Sequence, residues 1–358
     1  MPHLVVMKGD GIGAEITDAT LTVLRAADRH MSLGLAFEDV TIGLESLRMR
    51  GSTLPDAAIE AARRADGVIL GPVATYEYPP AAQGGVNPSG MLRKRLDLFA
   101  NIRPARSRAG FPPRCGVPVD LVIVRENTEG FYADRSMFFG AGEFMPTPDV
   151  ALSVRKITRQ GSTRIAEEAF RIASARPRGR VTAVHKANVL HVTDGLFLEC
   201  VRAVAARHPD IAYEERIIDA MAALLVRDAE QFDVIVTTNM YGDILSDEAS
   251  EIAGSLGLAA SLNAGANHAV AQAQHGTAPD LAGKDVANPG SLIGSTAMLL
   301  DWLGRRRGDA KLTRAAELIE QALDAAIADS KTRTADLGGA CGTRGFGEAV
   351  AGHVQSPA

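Results

Sequence analysis

Asp243 and Asp247 stand four residues apart within Phe232–Ser250, FDVIVTTNMYGDILSDEAS. The stretch opens on a short apolar run, Phe232–Val236, rich in β-branched residues, which predicts a buried strand. Thr237, Thr238 and Asn239 make a polar turn, and the residues from Tyr241 onward predict a helix. That spacing puts both carboxylates on one helix face, near its start. Ligand sites in open α/β sheets lie where strands end and helices begin. Two carboxylates converging there suit a hard divalent cation such as Mg²⁺ or Mn²⁺. The plainer alternative is that both only complement the helix dipole.

Other side chains able to do chemistry close other apolar runs. Arg103 follows a predicted strand over Leu98–Ile102, and Arg125 follows one over Val119–Val124. Arginines so placed can grip a carboxylate through two parallel hydrogen bonds. Arg93 and Arg95 lie on a short predicted helix, and for Arg95 a solvated basic face suffices. Tyr132 comes just after the second strand, in RENTEGFYADR (125–135). Lys186 ends the apolar run of RVTAVHKANVL (180–190). An apolar setting can make such a lysine a useful base, although a lone strand-end lysine is more often simply solvated. Asp219 closes the alternating run Ile211–Ile218.

The elements that must position these groups alternate between strands and helices. Leu4–Met7 and Leu35–Ile42 read as strands, as does Gly67–Leu70; helices follow the first and precede the third, the latter over Pro55–Arg64. Val73–Gly90 carries no periodicity, and an unstructured connection of that length is usually functional or mobile. Residues 136–160 are irregular and rich in Phe and Pro, with Phe138, Phe139, Phe144 and Met145, and then alternate as ALSVRKITR. An apolar arm with no core of its own predicts a subunit contact. Helices are expected over Thr163–Ala175, Asp194–Ala206, Leu292–Leu303 and Leu312–Ile327, with mostly loop over 254–290 and over Arg333–Glu348.

Composition bounds the function classes. With 358 residues, 46% hydrophobic and 23% charged, the chain can bury a sizeable core and suits two domains. A net charge of −5 gives no electrostatic reason to expect nucleic acid or an acidic membrane surface as a partner. Cys115, Cys200 and Cys341 fit neither a disulfide framework nor a zinc site and suit a reducing cytoplasm. Lys8, Asp10 and Glu15 follow a short apolar run, which is not a signal-peptide pattern, and no run reads as a transmembrane span. The motifs of zinc proteases, thiol redox domains, α/β-hydrolases and P-loop NTPases are missing. Gly9, Gly11 and Ala14 in GDGIGAEI satisfy the loose dinucleotide fingerprint, with Glu38 and Asp39 at ribose-binding distance. Against that reading, Asp10 would repel a pyrophosphate.

Eight segments occur in one order: GDGIGAEI, LRKRLDLFANIRP, DLVIVRENTEGFYADR, AVHKANVL, IID, TTNMYGDILSDEAS, HGTAPDLAGKDVANP and DLGGACGT. The set resembles the β-decarboxylating dehydrogenases of isocitrate, homoisocitrate and 3-isopropylmalate. The resemblance implies an α/β chain with the isopropylmalate dehydrogenase-like two-domain fold and a mixed central sheet, not a Rossmann fold. It implies a large domain from 1–100 and 253–358, and a small domain, 101–252, with a dimer arm at about 131–160. It implies substrate binding by Arg93, Arg103, Arg125 and Asn188. Asp243 and Asp247 would bind Mg²⁺ or Mn²⁺, completed by Asp219 of the other subunit of a homodimer. Tyr132 and the other subunit's Lys186 would carry the proton transfers. His275, Gly276, Asp280, Leu281 and Asn288 would line the cofactor. Family members that use NADP carry Lys-Tyr where this chain has Asp280-Leu281, and an aspartate suits a ribose diol, so the implied cofactor is NAD.

Two segments depart from the family pattern. A Phe-Glu-Pro-Val-His-Gly run is replaced by Ala271, Gln272, Ala273, Gln274, His275 and Gly276, which removes a carboxylate. The substrate-reading segment Val86–Met91 has neither an apolar pocket nor the usual order of its polar pair, Asn87 and Ser89. Two other functions stay in view. One is a catalytically silent subunit of the same family, favoured by the altered 271–274 run. The other is a metal-independent Rossmann hydroxyacid dehydrogenase built on Gly9–Ala14.

Overall fold

The computed structural model describes residues 1–132, 137 and 141–356. Phe138 and Phe139, assigned above to the arm, lie outside the described residues. The chain forms two compact units: unit one is Met1–Leu96, Arg108–Pro112 and Gly254–Ala358, and unit two is Asp97–Ser107 and Pro113–Ala253.

Unit one carries β1 (His3–Met7), β2 (Ala36–Asp39), β3 (Gly67–Leu70), β11 (Leu262–Ala264) and β12 (Ala269–Gln272), in the order β2-β1-β3-β12-β11. All its pairings are parallel except β11 with β12. A Rossmann sheet is parallel, in the order 3-2-1-4-5-6. Here β1 sits between β2 and β3, and the next strands come from the far end of the chain. The helices of unit one are α1 (Gly13–Met31), α2 (Gly43–Arg50), α3 (Asp56–Arg64), α4 (Pro88–Arg95), α9 (Gly290–Arg307), α10 (Ala310–Ala328) and α11 (Thr343–Gln355). Helix α4 starts where it does because Asn87 Oδ1 accepts from the Gly90 amide at 3.0 Å, with Pro88 in the first turn.

Unit two carries β4 (Ala100–Arg106), β5 (Asp120–Glu126), β8 (Arg180–His185), β9 (Ala212–Ile217) and β10 (Val234–Thr237), in the order β4-β5-β10-β8-β9. The pair β4–β5 is antiparallel and the others are parallel. Its helices are α5 (Arg159–Ser174), α6 (Thr193–Ala205), α7 (Ile218–Asp228) and α8 (Asn239–Ala253). Leu121, Ile123, Val184, Leu225, Phe232, Ile235 and Leu245 form one fully buried cluster under α7 and α8. Each such side chain contributes about 1.5–3 kcal/mol of burial, which fixes α8 against the sheet. A separate hairpin, β6 (Glu143–Thr147) with β7 (Val150–Ser153), has every residue exposed, Phe144 and Met145 among them.

Several sequence expectations need correction. Arg103 lies in the middle of β4, because the strand runs on through Pro104, opposite Val122 of β5. The segment Val73–Gly90 gains structure at its end, where α4 begins at Pro88. Residues 254–290 are mostly loop, as expected, apart from the short strands β11 and β12, whereas α11 begins at Thr343, inside the stretch 333–348 where loop was expected. Helix α7 follows β9 directly and places Asp219 in its first turn.

The GDGIG loop is filled by its own chain. Asp10 is buried and accepts from the amides of Leu44 (2.7 Å) and Ala74 (2.9 Å) and from the Tyr78 hydroxyl (2.5 Å). Gly11 has φ +57°, and a Cβ there would lie 2.2 Å from the Thr277 carbonyl, which accepts from the Ile12 amide at 2.9 Å. No room is left at this turn for a pyrophosphate on the glycine backbone. Gly11→Ala should therefore cost about 2 kcal/mol or more. The check is a lowered urea midpoint.

Candidate active site

In unit two, the first turns of α8 gather most of the predicted groups. Arg125 Nε and Nη2 both donate to Asn239 Oδ1, at 2.9 and 2.7 Å, and Nη1 pairs with Asp243 Oδ1. Arg103 Nη1 donates to Ser246 Oγ at 2.7 Å and pairs with Asp243 at 3.2 Å and Asp247 at 3.4 Å. The Tyr132 hydroxyl lies 3.4 Å from Asp243 Oδ2. Both guanidinium side chains are buried, at 7% and 3% exposure, whereas Asp243 and Asp247 keep 40% and 55%. The carboxylates thus pair inward with the arginines and still offer oxygens outward. Burial, with the neighbouring Arg125 charge, pulls Arg103 down to about 10, and Asp243 and Asp247 oppose that shift. It stays a cation at neutral pH.

Local sequence explains the convergence. Gly242 lets α8 approach β5 closely, because a Cβ there would stand 2.6 Å from Arg125 Cβ. Asn239, fully buried, also donates from Nδ2 to the Glu129 carbonyl at 2.9 Å. It ties α8 to the segment carrying Tyr132. Sequence reasoning passed over Asn239 and Ser246; their signal was a polar residue at the helix start and one between the two aspartates.

The Tyr132 segment is fixed by two buried glutamates. Glu126 accepts from the amides of Thr128 and Glu129, both at 2.9 Å. Glu129 accepts from the Thr158 amide (2.9 Å) and hydroxyl (2.8 Å), and Gly130 and Lys156 exchange backbone hydrogen bonds. Burial pushes the Glu129 carboxyl above its ordinary range.

Lys186 and Asp219 form a second group. Lys186 Nζ pairs with Asp219 Oδ1, and the ammonium holds that exposed carboxyl below its usual range. Asn188 is exposed two residues on. Asp219 is not gathered with Asp243 and Asp247. Among the described residues of one chain, no three His, Cys, Asp or Glu side chains are placed to hold a metal ion. The oxygen-only, outward-facing pair Asp243/Asp247 is nevertheless a donor set that fits a hard cation in need of further ligands.

Arg93 lies on α4 in unit one, with the predicted cofactor residues. His275 Nδ1 contacts the Gly276 carbonyl at 3.0 Å, while Nε2 is buried and has no hydrogen-bond partner among the described residues. Burial pulls this imidazole below its ordinary range, so it stays neutral near pH 7. An orphaned ring nitrogen of this kind fits a polar ligand atom. Asn288 donates to Asp336 at 2.9 Å and accepts from the Gly290 amide at 2.8 Å. Asp280 and Leu281 are exposed.

Comparison with known proteins shows the family of the chain. The family model described as isocitrate/isopropylmalate dehydrogenase matches residues 3–350. The chain is 41% identical over 355 residues to the isocitrate/homoisocitrate dehydrogenase of Thermus thermophilus, covering 99% of each. It is 40% identical over 352 residues to the 3-isopropylmalate dehydrogenase of Archaeoglobus fulgidus, covering 98% of this chain and 99% of that one. The solved isocitrate dehydrogenase of Methylococcus capsulatus superposes with TM-score 0.88 at 38% identity, over 99% of this chain and all of that one.

The buried Glu129 yields a pH prediction. Its folded-state value lies above the unfolded one, so its contribution is present in acid and lost as pH rises through the folded value. Relative to the wild type, Glu129→Gln should gain in urea midpoint as pH is raised from about 4 to about 7. A midpoint difference that is flat across that window would contradict the assignment.

Proposed function

Given that the chain belongs to the isocitrate/isopropylmalate dehydrogenase family, we propose that it catalyses metal- and NAD-dependent oxidative decarboxylation of a 2-hydroxy-3-carboxy acid of the malate type. The observation that carries this reading is the pairing of buried Arg103 and Arg125 with the outward-facing Asp243, beside the Tyr132 hydroxyl. Two fixed cations would serve as a receptor for a di- or tricarboxylate, and the family resemblance assigns Arg93 to the same substrate. Asp243, Asp247 and the partner subunit's Asp219 would hold Mg²⁺ or Mn²⁺; the exposed Asp219 and the exposed apolar hairpin β6–β7 support a homodimer with shared sites. His275, Gly276, Asp280, Leu281 and Asn288 would hold NAD.

An NAD held by His275, Gly276, Asp280, Leu281 and Asn288 would supply the hydride acceptor for oxidation at C2, and a cation held by Asp243, Asp247 and the partner subunit's Asp219 would supply Lewis-acid polarisation for the loss of CO₂. The partner subunit's Lys186, directly or through a relay, takes the proton of the substrate hydroxyl, with Asn188 beside it. Tyr132 delivers a proton to C3 after carbon dioxide has left. The arginines hold the substrate carboxylates throughout, so that C2 and C3 do not move between the two steps. Tyr132, Lys186, Asp219, Asp243 and Asp247 are all present, which supports an enzyme over a silent subunit. A cytoplasmic location accords with the free cysteines, and among the described residues no helix is long and apolar enough to cross a membrane.

The central test is NADH formation with Mn²⁺ on isocitrate, homoisocitrate, 3-isopropylmalate, D-malate and tartrate, each repeated with EDTA. Turnover of at least one acid, abolished by EDTA, is expected; metal-independent turnover, or cofactor binding without turnover on all five, would refute the reading. Lys186→Met should abolish turnover and leave a folded protein of unchanged oligomeric size, and near-normal rates in that variant would remove Lys186 from its role. Asp280→Lys with Leu281→Tyr should move the preference from NAD toward NADP by about tenfold or more, given the lost repulsion of a 2′-phosphate. The ratio of kcat/KM for the two cofactors measures it.

A further inference from the structure

Arg155 has no role in the proposed reaction, yet it touches three stretches of unit two that adjoin residues that do: Thr193–Asp194, Phe131, and the start of α8 at Thr238 and Tyr241. Its Nη1 pairs with Asp194 and donates to Thr193 Oγ1 at 3.1 Å. Its Nη2 donates to Thr238 Oγ1 at 2.9 Å. Its guanidinium lies over two rings, 5.1 Å from the Tyr241 centroid and 5.7 Å from that of Phe131. The ion pair is sealed, with Asp194 at 0% and Arg155 at 7% exposure. The second Asp194 oxygen accepts from the backbone amide of Lys186 at 2.5 Å. Phe131 immediately precedes Tyr132, and Tyr241 stands two residues before Asp243. One cation thus bears on the Lys186 loop through Asp194, on Tyr132 through Phe131, and on the carboxylate helix through Thr238 and Tyr241.

We propose that Arg155 and Asp194 are a positioning pair for the reaction: they set where Tyr132 presents its proton-transferring atom to this chain's own site and where Lys186 presents its own to the partner subunit's site. The proposal rests on the roles assigned to those two residues. A planar guanidinium can meet a carboxylate, a hydroxyl and two ring faces at once, whereas an ammonium is a point charge with fewer directed contacts. A carboxylate with no exposure that grips the amide of Lys186 holds its loop without touching the side chain that does the work. Small displacements of such groups lower the rate of the chemical step far more than they weaken binding. A pair that merely stabilised the fold would reduce the number of competent sites or loosen every ligand.

The test measures kcat per competent site. Arg155→Met, Arg155→Lys and Thr238→Val are prepared as full-length protein, and sites are counted by fluorescence titration with NADH. Steady-state rates use Mn²⁺, NAD and the acid of the five-member panel that the wild type turns over fastest. Arg155→Met should lose about thirtyfold in kcat per site, with KM for the acid and Kd for NADH within about threefold of wild type. Arg155→Lys, which keeps the ion pair, should recover to within about fivefold, and Thr238→Val should fall between the two variants. An unchanged kcat per site in Arg155→Met overturns the proposal, as does a loss matched by an equal rise in KM and Kd. Should Arg155→Met fail to fold, Thr238→Val decides by the same criterion, because it leaves the buried charges paired. Lys186→Met runs alongside. If it keeps full kcat per site, the base assignment fails; if it is inactive while Arg155→Met is normal, only the positioning proposal fails.

Discussion

Burying two arginines a few ångströms from one another is the constraint on which unit two depends. Each desolvated guanidinium costs several kcal/mol unless it is paired and hydrogen-bonded, and two like charges raise that cost. The compensation comes from one short piece of helix. Asn239, Asp243, Ser246 and Asp247 lie on successive turns of α8 and satisfy Arg125 and Arg103 between them. Four residues at 239, 243, 246 and 247 share one face only if the segment is helical, so the pairing fixes the helix, its rotation and its height over β5. The same geometry leaves the aspartates half in solvent. A site for an anionic substrate and a cation is thus a by-product of neutralising the floor beneath it.

A second set of buried charges does for the loops what this set does for the helix. Glu126 and Glu129 take backbone amides rather than cations as partners, and their hydrogen bonds run across Gly130 and Lys156, where the chain leaves for the exposed hairpin and returns. Such acceptors tie down the ends of an excursion without requiring an apolar core inside it. That explains how β6 and β7 can be wholly exposed while Tyr132, just before them, is held beside Asp243.

What was legible in the sequence follows from how each element is stabilised. Gly67–Leu70 and Val234–Val236 of β10 are short apolar strand segments, buried on both faces, and read directly, although the strand starts two residues after the Phe232 at which the sequence placed it. The carboxylate spacing at 243 and 247 needed only helical periodicity. By contrast, β11 is three residues, Leu-Asn-Ala, and exists because β12 pairs with it, a long-range fact that local pattern does not carry. Helix α11 hid behind Gly345, Gly347 and Gly352, which lower helix propensity. Its stripe of Phe346, Val350 and Val354 was present at four-residue spacing and is fully buried, so tertiary burial outweighed propensity. Arg103 reads as a strand end because it closes the apolar run Leu98–Ile102, yet β4 accommodates Pro104 and continues to Arg106. Arg155 and Asp194 left no local trace, since their meaning lies in partners far away in sequence.

The run at 271–274, where a glutamine stands in place of the family's glutamate, was the strongest sequence argument for a silent subunit. Gln272 is nonetheless fully integrated. Its Oε1 accepts from Ser89 at 2.9 Å and from Asn263 at 3.3 Å, and its carbonyl accepts from Ser295 at 3.0 Å. Two neutral donors require an acceptor, and an amide oxygen serves without the desolvation cost of a carboxylate. Ser89 and Arg93 are four residues apart on α4, so the contact also anchors the helix face that presents Arg93. The missing charge is therefore replaced by an ordered neutral network, and local order gives no ground for reading the altered run as decay.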